Sequence, residues 1–258
     1  MEIRELDAVR ISTRQDIRSA ATALKMAVEH RLGDFRIATC ADLARADAMI
    51  DGDGQTLATT VFDWTDRAND RWWQLPRLAL ESPLAEACRY EGDTFWCNAR
   101  GIRTLFPNPM MDRIDLSDFH HRSLAQAAIV VPVRMPFGVI GAVSMVPRDI
   151  RKLDLTEEFE QHGEALGVLC RSFLMSYARV VNQPTRLLSG SAALSKREVQ
   201  CLRWAAVGKT DVEIGMIISR SRATIRFHIH NAAEKLNAVN RSQAVFKAAQ
   251  LGYLSLAA

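Results

Sequence analysis

Long apolar runs are missing from this chain. No segment approaches the roughly 20 consecutive apolar residues needed to cross a bilayer. The N-terminal stretch MEIRELDAVRISTRQ carries acidic residues where a secretory leader would carry an apolar core. No membrane partner is expected, and the expected location is the cytoplasm. Paired cysteine spacing is missing as well. Cys40, Cys88, Cys97, Cys170 and Cys201 are odd in number and form no C-x-x-C, which argues against a zinc site or a disulfide framework and for reduced, buried small side chains. Also absent are a phosphate-cradling glycine loop, a nucleophile motif, an internal repeat and a low-complexity tract. The best raw material for an enzyme is DLSDFHHR, with Asp115, Asp118, His120 and His121, and His162 as a possible addition. Neighbouring histidines tend to point apart and no metal-ligand spacing accompanies them, so no catalytic residue, no metal and no enzyme are expected.

What is present describes an ordinary globular protein: 258 residues, 48% hydrophobic and 24% charged, enough for one large domain or two ordinary ones. The charge is unevenly divided. From Gly190 onward there are 10 Lys plus Arg against 4 Asp plus Glu, a net of +6, which leaves 23 against 26, a net of −3, on the rest. Positive potential therefore gathers at the end suited to meet phosphate.

That end, Leu194 to Gly252, reads as four short helices with marked boundaries. The first runs from about Lys196 to Val207, capped by Ser195 with Glu198 completing a capping box, and stopped by Gly208. Thr210 or Asp211 caps the second, whose inward positions are read as Ile214, Ile217 and Ile218. A turn around Arg220 leads to a third helix, Arg222 to about Leu236. On it Ile225, Ile229, Ala232, Ala233 and Leu236 share one face, leaving Arg222, Arg226, Phe227 and His230 near the other. A fourth helix begins near Asn240 with Ala244, Val245, Ala248 and Leu251 as its stripe. The pattern suits a helix-turn-helix whose recognition helix enters the major groove.

This stretch resembles the DNA-binding domain of LuxR-type regulators. The resemblance rests on Glu198, Leu202 and Gly208, then TDVEIG, the T-I-x-x-H of Thr224 to His228, the K-L of Lys235 and Leu236, and R-S-Q-A-V from Arg241. It implies that Arg226, Phe227 and His230 face bases and that the Thr224 hydroxyl sits near phosphate. Arg222, on the same outer face, joins them as a DNA-binding candidate.

Upstream, the periodicity predicts a helix over 13–31, a strand over Phe35 to Cys40, a helical excursion over Ala41 to Asp53 closed by DGDG, and a strand over Thr56 to Phe62. Helices are predicted over Thr65 to Leu78 and Pro83 to Tyr90, the latter with Ser82 as cap and proline at the first helical position. A short strand at Thr94 to Asn98 precedes a loop over 99–116. Ala128 to Arg134 and Gly138 to Val146 read as a central hairpin, followed by a long helix over Asp154 to Ala178. The stretch VNQPTRLLSGSAA reads as a linker. The expected organisation is a sensor domain over 1–180, a linker over 181–193 and a DNA-binding domain over 194–258. The expected fold class is an αβα sandwich with an antiparallel sheet, plus an all-α four-helix helix-turn-helix domain. A phosphorylation-controlled receiver would need alternating parallel strands and helices, which the hairpin does not offer.

An αβα sandwich can hold an apolar ligand between sheet and helices. The LuxR-type resemblance extends here more loosely and implies an acyl-homoserine-lactone pocket. Trp96 matches a tryptophan that bonds the lactone carbonyl, although its spacing from Pro83 is shorter by one. Trp73 stands where a pocket tyrosine is usual, Ser144 matches a hydroxyl position and Trp64 lies near another pocket aromatic. Departures accompany these matches: the family's Asp-Pro is Ser82-Pro83, Asn69 occupies a usual tryptophan position and Ala128 a usual glycine. Glu81 is adjacent, but one residue of shift turns a side chain about 100 degrees on a helix. Losing a buried charged acceptor removes about 1.5–3 kcal/mol. The resemblance implies a ligand-responsive transcriptional regulator of quorum-sensing type that binds double-stranded DNA as a homodimer and senses an acyl-homoserine lactone or related small apolar molecule, with no other cofactor. The alternative is a regulator of the same type that answers a non-lactone signal or acts without a ligand.

Overall fold

In the computed structural model, residues 3–45, 47–64, 72–75, 77–181 and 193–255 are described. The chain divides into two compact units, Met1–Met135 with Val139–Asn182, and Gln183–Ala258 with Pro136–Gly138. The predicted linker lies almost wholly outside the described residues, as do Asn69 and the first part of the helix predicted over Thr65 to Leu78.

The first unit is built on a five-stranded sheet of order β1-β5-β4-β2-β3, from β1 (Phe35–Cys40), β2 (Phe95–Asn98), β3 (Gly101–Thr104), β4 (Ala127–Arg134) and β5 (Ile140–Pro147). Every neighbouring pair is antiparallel. β4 is buried along nearly its whole length, as its unbroken apolar sequence requires of a central strand covered on both faces. One face of the sheet carries α2 (Ile17–Leu32) and α7 (Thr156–Val181). Their stripes, Ile17, Ala20, Ala21, Leu24 and Val28 on α2 and Phe159, Leu166, Leu169 and Phe173 on α7, meet Ile37, Ile129, Val131, Val143 and Met145 in the larger core. On the other face α5 (Pro83–Tyr90) places Leu84, Ala87 and Cys88 against Phe95, Cys97, Ala128, Val130 and Ala142. This is the αβα sandwich.

Several elements differ from the sequence reading. Thr56 to Phe62 is no strand: Leu57–Thr60 forms α3, because Leu57, Ala58, Val61 and Phe62 all reach the larger core at helical spacing, and this burial overrides the β-propensity of the Thr-Thr-Val run. Among its described residues the excursion over Ala41 to Asp53 contains no helix. It is held by isolated bridges from Cys40 to Ala48 and Ile50 to Thr56, and the Asp51 carboxylate accepts the Asp53 and Gln55 N–H groups at 3.0 and 2.8 Å. The loop predicted over 99–116 contains the edge strand β3, entered through a tight turn in which the Asn98 side chain accepts the Arg100 N–H at 2.7 Å. The described end of the helix predicted over Thr65 to Leu78 is a 3-10 turn, Trp72–Gln74, followed by α4 (Leu78–Glu81); beyond the predicted elements stand α1 (Ile3–Ala8), tied to α2 by Glu5 and Arg31, and α6 (Phe119–Ser123).

The second unit holds α8 (Lys196–Ala206), α9 (Asp211–Ile218), α10 (Arg222–Lys235) and α11 (Arg241–Gln250), the four expected helices. Among the described residues no helix is long and apolar enough to cross a membrane.

Candidate nucleic-acid interface and ligand pocket

Each helix of the second unit is started by a side chain that accepts a backbone N–H. Ser195 takes that of Glu198, Thr210 that of Glu213, Ser221 that of Thr224 and Asn240 that of Gln243. Between Thr210 and Asp211, the sequence alternatives for the second cap, Thr210 is the residue used. Two small cores result. Leu202, Ala232, Leu236, Ala244 and Ala248 form one, and Cys201, Ile214, Ile225 and Ile229 the other.

Two polar ties fix the recognition helix and its neighbours. Lys235 Nζ on α10 donates to both carboxylate oxygens of Glu198 on α8, at 2.9 and 2.8 Å. Glu198 is only 4% exposed. Burial pushes its carboxyl upward, but hydrogen bonds from Lys235 and Ser195 outweigh this and hold it below its ordinary value. Arg241 at the start of α11 donates to the Asp211 carboxylate and to the Lys209 carbonyl at the start of α9. These structural roles for Glu198, Lys235 and Arg241 were not read from the sequence.

The turn between α9 and α10 is close-packed. Ser219 ends α9 at φ 54, and a Cβ added at Gly215 would lie 2.6 Å from the Arg220 carbonyl oxygen. Only glycine lets the turn pass that near. Beyond the turn, Ile225, Ile229 and Ala232 are buried while Arg222, Arg226, Phe227 and His230 are all exposed. Phe227, 59% exposed, is an aromatic ring carried in solvent on a basic surface. Thr224 is half-buried, its Oγ1 2.9 Å from Ser221 Oγ. His230 Nε2 lies 3.5 Å from Glu234 Oε1. Ile217, expected to face inward, is exposed; the second core needs only Ile214 and part of Ile218 from α9.

In the first unit a pocket opens on the α5 side of the sheet, with an empty volume of about 750 Å³, part of it open to solvent. Trp64, Ser82 and Ser144 of the sequence candidates line it; Trp73 and Trp96 do not. Trp96 is excluded by strand alternation. Phe95 and Cys97 of β2 belong to the pocket-side core, whereas Trp96 points to the α7 side. A spacing one residue shorter from Pro83 is a one-residue slip, and that reverses the face of a strand residue. Trp73 packs against the larger core from the 3-10 turn, edge-on to Trp72 at 5.7 Å, and it is Trp72 that lines the pocket. Choosing between adjacent tryptophans depends on the direction of that turn, for which the sequence carries no periodicity.

Trp64 Nε1 donates to the Ile37 carbonyl at 2.6 Å and its ring lies under the Arg36 guanidinium at 4.6 Å. Ser82 occupies the N-cap position of α5 before Pro83, as predicted, yet its hydroxyl makes no cap hydrogen bond. Glu81 is exposed and outside the lining. The remaining wall is mostly apolar, from Leu84, Ala85, Val130, Ala142 and Val146, with Cys40 and Cys88 among it. All five cysteines are buried and free; burial pushes the thiols of Cys40 and Cys88 up to about 11 and about 12.

His120 and His121 are exposed on α6, their rings 5.3 Å apart. Among the described residues no group of three or more His, Cys, Asp or Glu could hold a metal ion.

Comparison with known proteins bears on both units. Residues 192–248 match the family described as bacterial regulatory proteins, luxR family. The chain is 34% identical over 130 residues to the transcriptional activator protein VanR of Vibrio anguillarum, covering 50% of this chain and 52% of VanR. It is 32% identical over 124 residues to the quorum-sensing regulator RhlR of Pseudomonas aeruginosa, covering 48% and 50%. The match thus spans about half the length of these curated relatives, which are named as transcriptional regulators and not as enzymes. Among solved structures, Escherichia coli SdiA aligns over 97% of this chain and 95% of its own with a TM-score of 0.51 at 19% identity. SdiA in complex with octanoyl-rac-glycerol aligns over 96% and 92% with a TM-score of 0.50 at 19% identity. At that identity the likeness establishes the fold. Capped helices, a glycine-dependent turn and an exposed basic recognition helix thus agree with the match, and the C-terminal segment 192–248 is a helix-turn-helix domain of the luxR family of bacterial regulatory proteins.

Proposed function

We propose that this protein is a ligand-responsive transcriptional regulator of LuxR quorum-sensing type. The observation that carries the reading is the outer side of α10, where Arg222, Arg226, Phe227 and His230 stand exposed behind a glycine-dependent turn while the inner side is locked to α8. Arg226 and its neighbours would read base edges in the major groove, with Thr224 near phosphate. A homodimer would present two such helices to successive grooves of a pseudo-palindromic site. A small molecule held in the pocket lined by Trp64, Ser82 and Ser144 would act by mass action, favouring the folded over the unfolded chain.

Titration of fluorescent duplex DNA with the full chain tests this. Arg226→Ala is expected to weaken specific binding by about 1–3 kcal/mol, with melting temperature unchanged. Specific binding that is unaffected by the substitution removes the assignment. A signal other than a lactone is favoured by one observation: among the described residues the pocket lining includes no carboxylate, so an amide N–H on the ligand finds no charged acceptor there.

A further inference from the structure

Beside the pocket stands a cation without an anion. Arg36 is half-buried on β1; it pairs across the ladder with Val146 and lies two residues from Ala38, and both of these line the pocket. Opposite residues of an antiparallel pair and alternate residues of one strand share a face, so Arg36 leaves β1 on the pocket side. Its guanidinium lies 4.6 Å from the ring centroid of Trp64, a further lining residue. Nε is shielded from solvent and has no hydrogen-bond partner, whereas Nη1 and Nη2 keep contact with solvent and donate to no described residue. The acids that precede its neighbours are already taken: Asp34, before Phe35, pairs with Arg148 at 2.9 Å, and Asp63, before Trp64, pairs with Lys25 at 2.6 Å and Arg148 at 3.0 Å. The other guanidinium of the lining, that of Arg122, is held by the Glu81 and Ser117 carbonyls and by Asp115. A half-buried guanidinium with no counter-charge has lost hydration without regaining it in hydrogen bonds, and an anion arriving beside it supplies both.

We propose that Arg36 binds the carboxylate of an anionic amphiphile whose apolar body occupies the pocket. The ligand class is a small molecule with one carboxylate on an acyl or aryl body. This deepens the ligand-responsive reading of the pocket and rests on it. The planar guanidinium offers parallel N–H groups that match a carboxylate, and its place over Trp64 means that less side-chain freedom is lost when the ligand arrives. Leu84, Val130 and Val146 accommodate the apolar body, and among the described residues the lining includes no Asp or Glu to repel a negative charge. One unpaired guanidinium balances one charge. A doubly charged phosphate ester would leave part of its charge uncompensated against a mostly apolar wall, and the site therefore selects a monocarboxylate.

Octanoate and its neutral twin octanamide test it on the full chain, by calorimetry at about pH 7.5, where a carboxylate is ionised. Octanoate is expected to bind at least about tenfold more tightly than octanamide, the difference being charge-assisted hydrogen bonds. Arg36→Met keeps an unbranched apolar stem over Trp64 and removes the charge. It is expected to weaken octanoate by at least about tenfold and to leave octanamide within about twofold, with an unchanged melting temperature. Arg36→Lys keeps the charge without the fork; it controls for folding and is expected to retain part of the preference. Arg122→Gln is expected to leave the preference in place, since that guanidinium is already committed. Equal affinities for the two probes overturn the proposal, as does octanoate binding by Arg36→Met within about twofold of the unsubstituted chain. A preference that survives Arg36→Met and vanishes in Arg122→Gln overturns it as well, and so does the failure of both probes to bind. Each of these outcomes leaves the regulator reading standing, because titration of duplex DNA with the same protein is a separate measurement.

Discussion

Replacing Glu198 isolates the tie between α8 and the recognition helix. Its carboxylate accepts two hydrogen bonds from Lys235 and one from the Ser195 N–H at 2.7 Å. Glu198→Gln keeps the shape and one acceptor while removing the charge, and it leaves Lys235 without its partner. Breaking a buried ion pair costs about 3–5 kcal/mol, but the Lys235 side chain is 39% exposed and regains water, so about 2 kcal/mol is expected. Glu198→Ala also removes the capping acceptor, worth about another 1 kcal/mol. Hydrogen exchange read by mass spectrometry on peptides from α8 to α11 measures this locally. A loss of about 2 kcal/mol appears there as roughly thirtyfold faster exchange through opening of this unit, with peptides of the first unit unchanged. The sign of the pH dependence follows from the lowered carboxyl. A depressed folded-state value means that the contribution is present above the ordinary 4.5 and is lost as pH falls through the folded value. The difference between the unsubstituted chain and Glu198→Gln is therefore expected to be full at about pH 6 and to shrink below about pH 4. A Glu198→Gln chain with unchanged exchange at about pH 6 refutes the argument that this pair locks the recognition helix.

Other outcomes follow from single contacts. Gly215→Ala places a methyl 2.6 Å from the Arg220 carbonyl; the turn must open, and a stability loss of at least about 2 kcal/mol with loss of DNA binding is expected by denaturant titration and fluorescence anisotropy. Phe227 stands 59% exposed on the reading face, so replacing a contacted thymine by uracil in the duplex should weaken binding by the unsubstituted chain but not by Phe227→Ala. Burial raises the thiols of Cys40, Cys88 and Cys170 to about 11, about 12 and about 12. Thiol labelling at about pH 8 should therefore proceed only on unfolding, and rapid labelling of the native chain would contradict their burial.

The C-terminal quarter was legible because its information is local. Ser195 with Glu198, Thr210, Ser221 and Asn240 cap within their own first turns, and helical periodicity separates Ile225, Ile229 and Ala232 from Arg222, Arg226, Phe227 and His230 without reference to distant residues. The stripes of α2 and α7 and the β4–β5 hairpin were legible for the same reason. The edge strand β3 was not, since its four residues, Gly101 to Thr104, carry no alternating apolar pattern and are strand only through pairing with β2. Leu57 to Phe62 misled because its β-branched residues prefer strands while its burial pattern is helical, and only the larger core decides between them.

The sequence by itself determined that a basic helix-turn-helix stands at the end of this chain, since caps, a turn around Arg220 and a two-faced helix are written within a few residues of one another. The resemblance to LuxR-type regulators adds that Ser82 stands where that family carries an acid. Which tryptophans meet the pocket was decided only by tertiary structure. Trp96 follows the pleat of β2 to the α7 side, and Trp72 rather than Trp73 lines the cavity. The direction of a side chain on a strand or a single turn depends on what the backbone pairs with and packs against, and those partners lie far away in the chain.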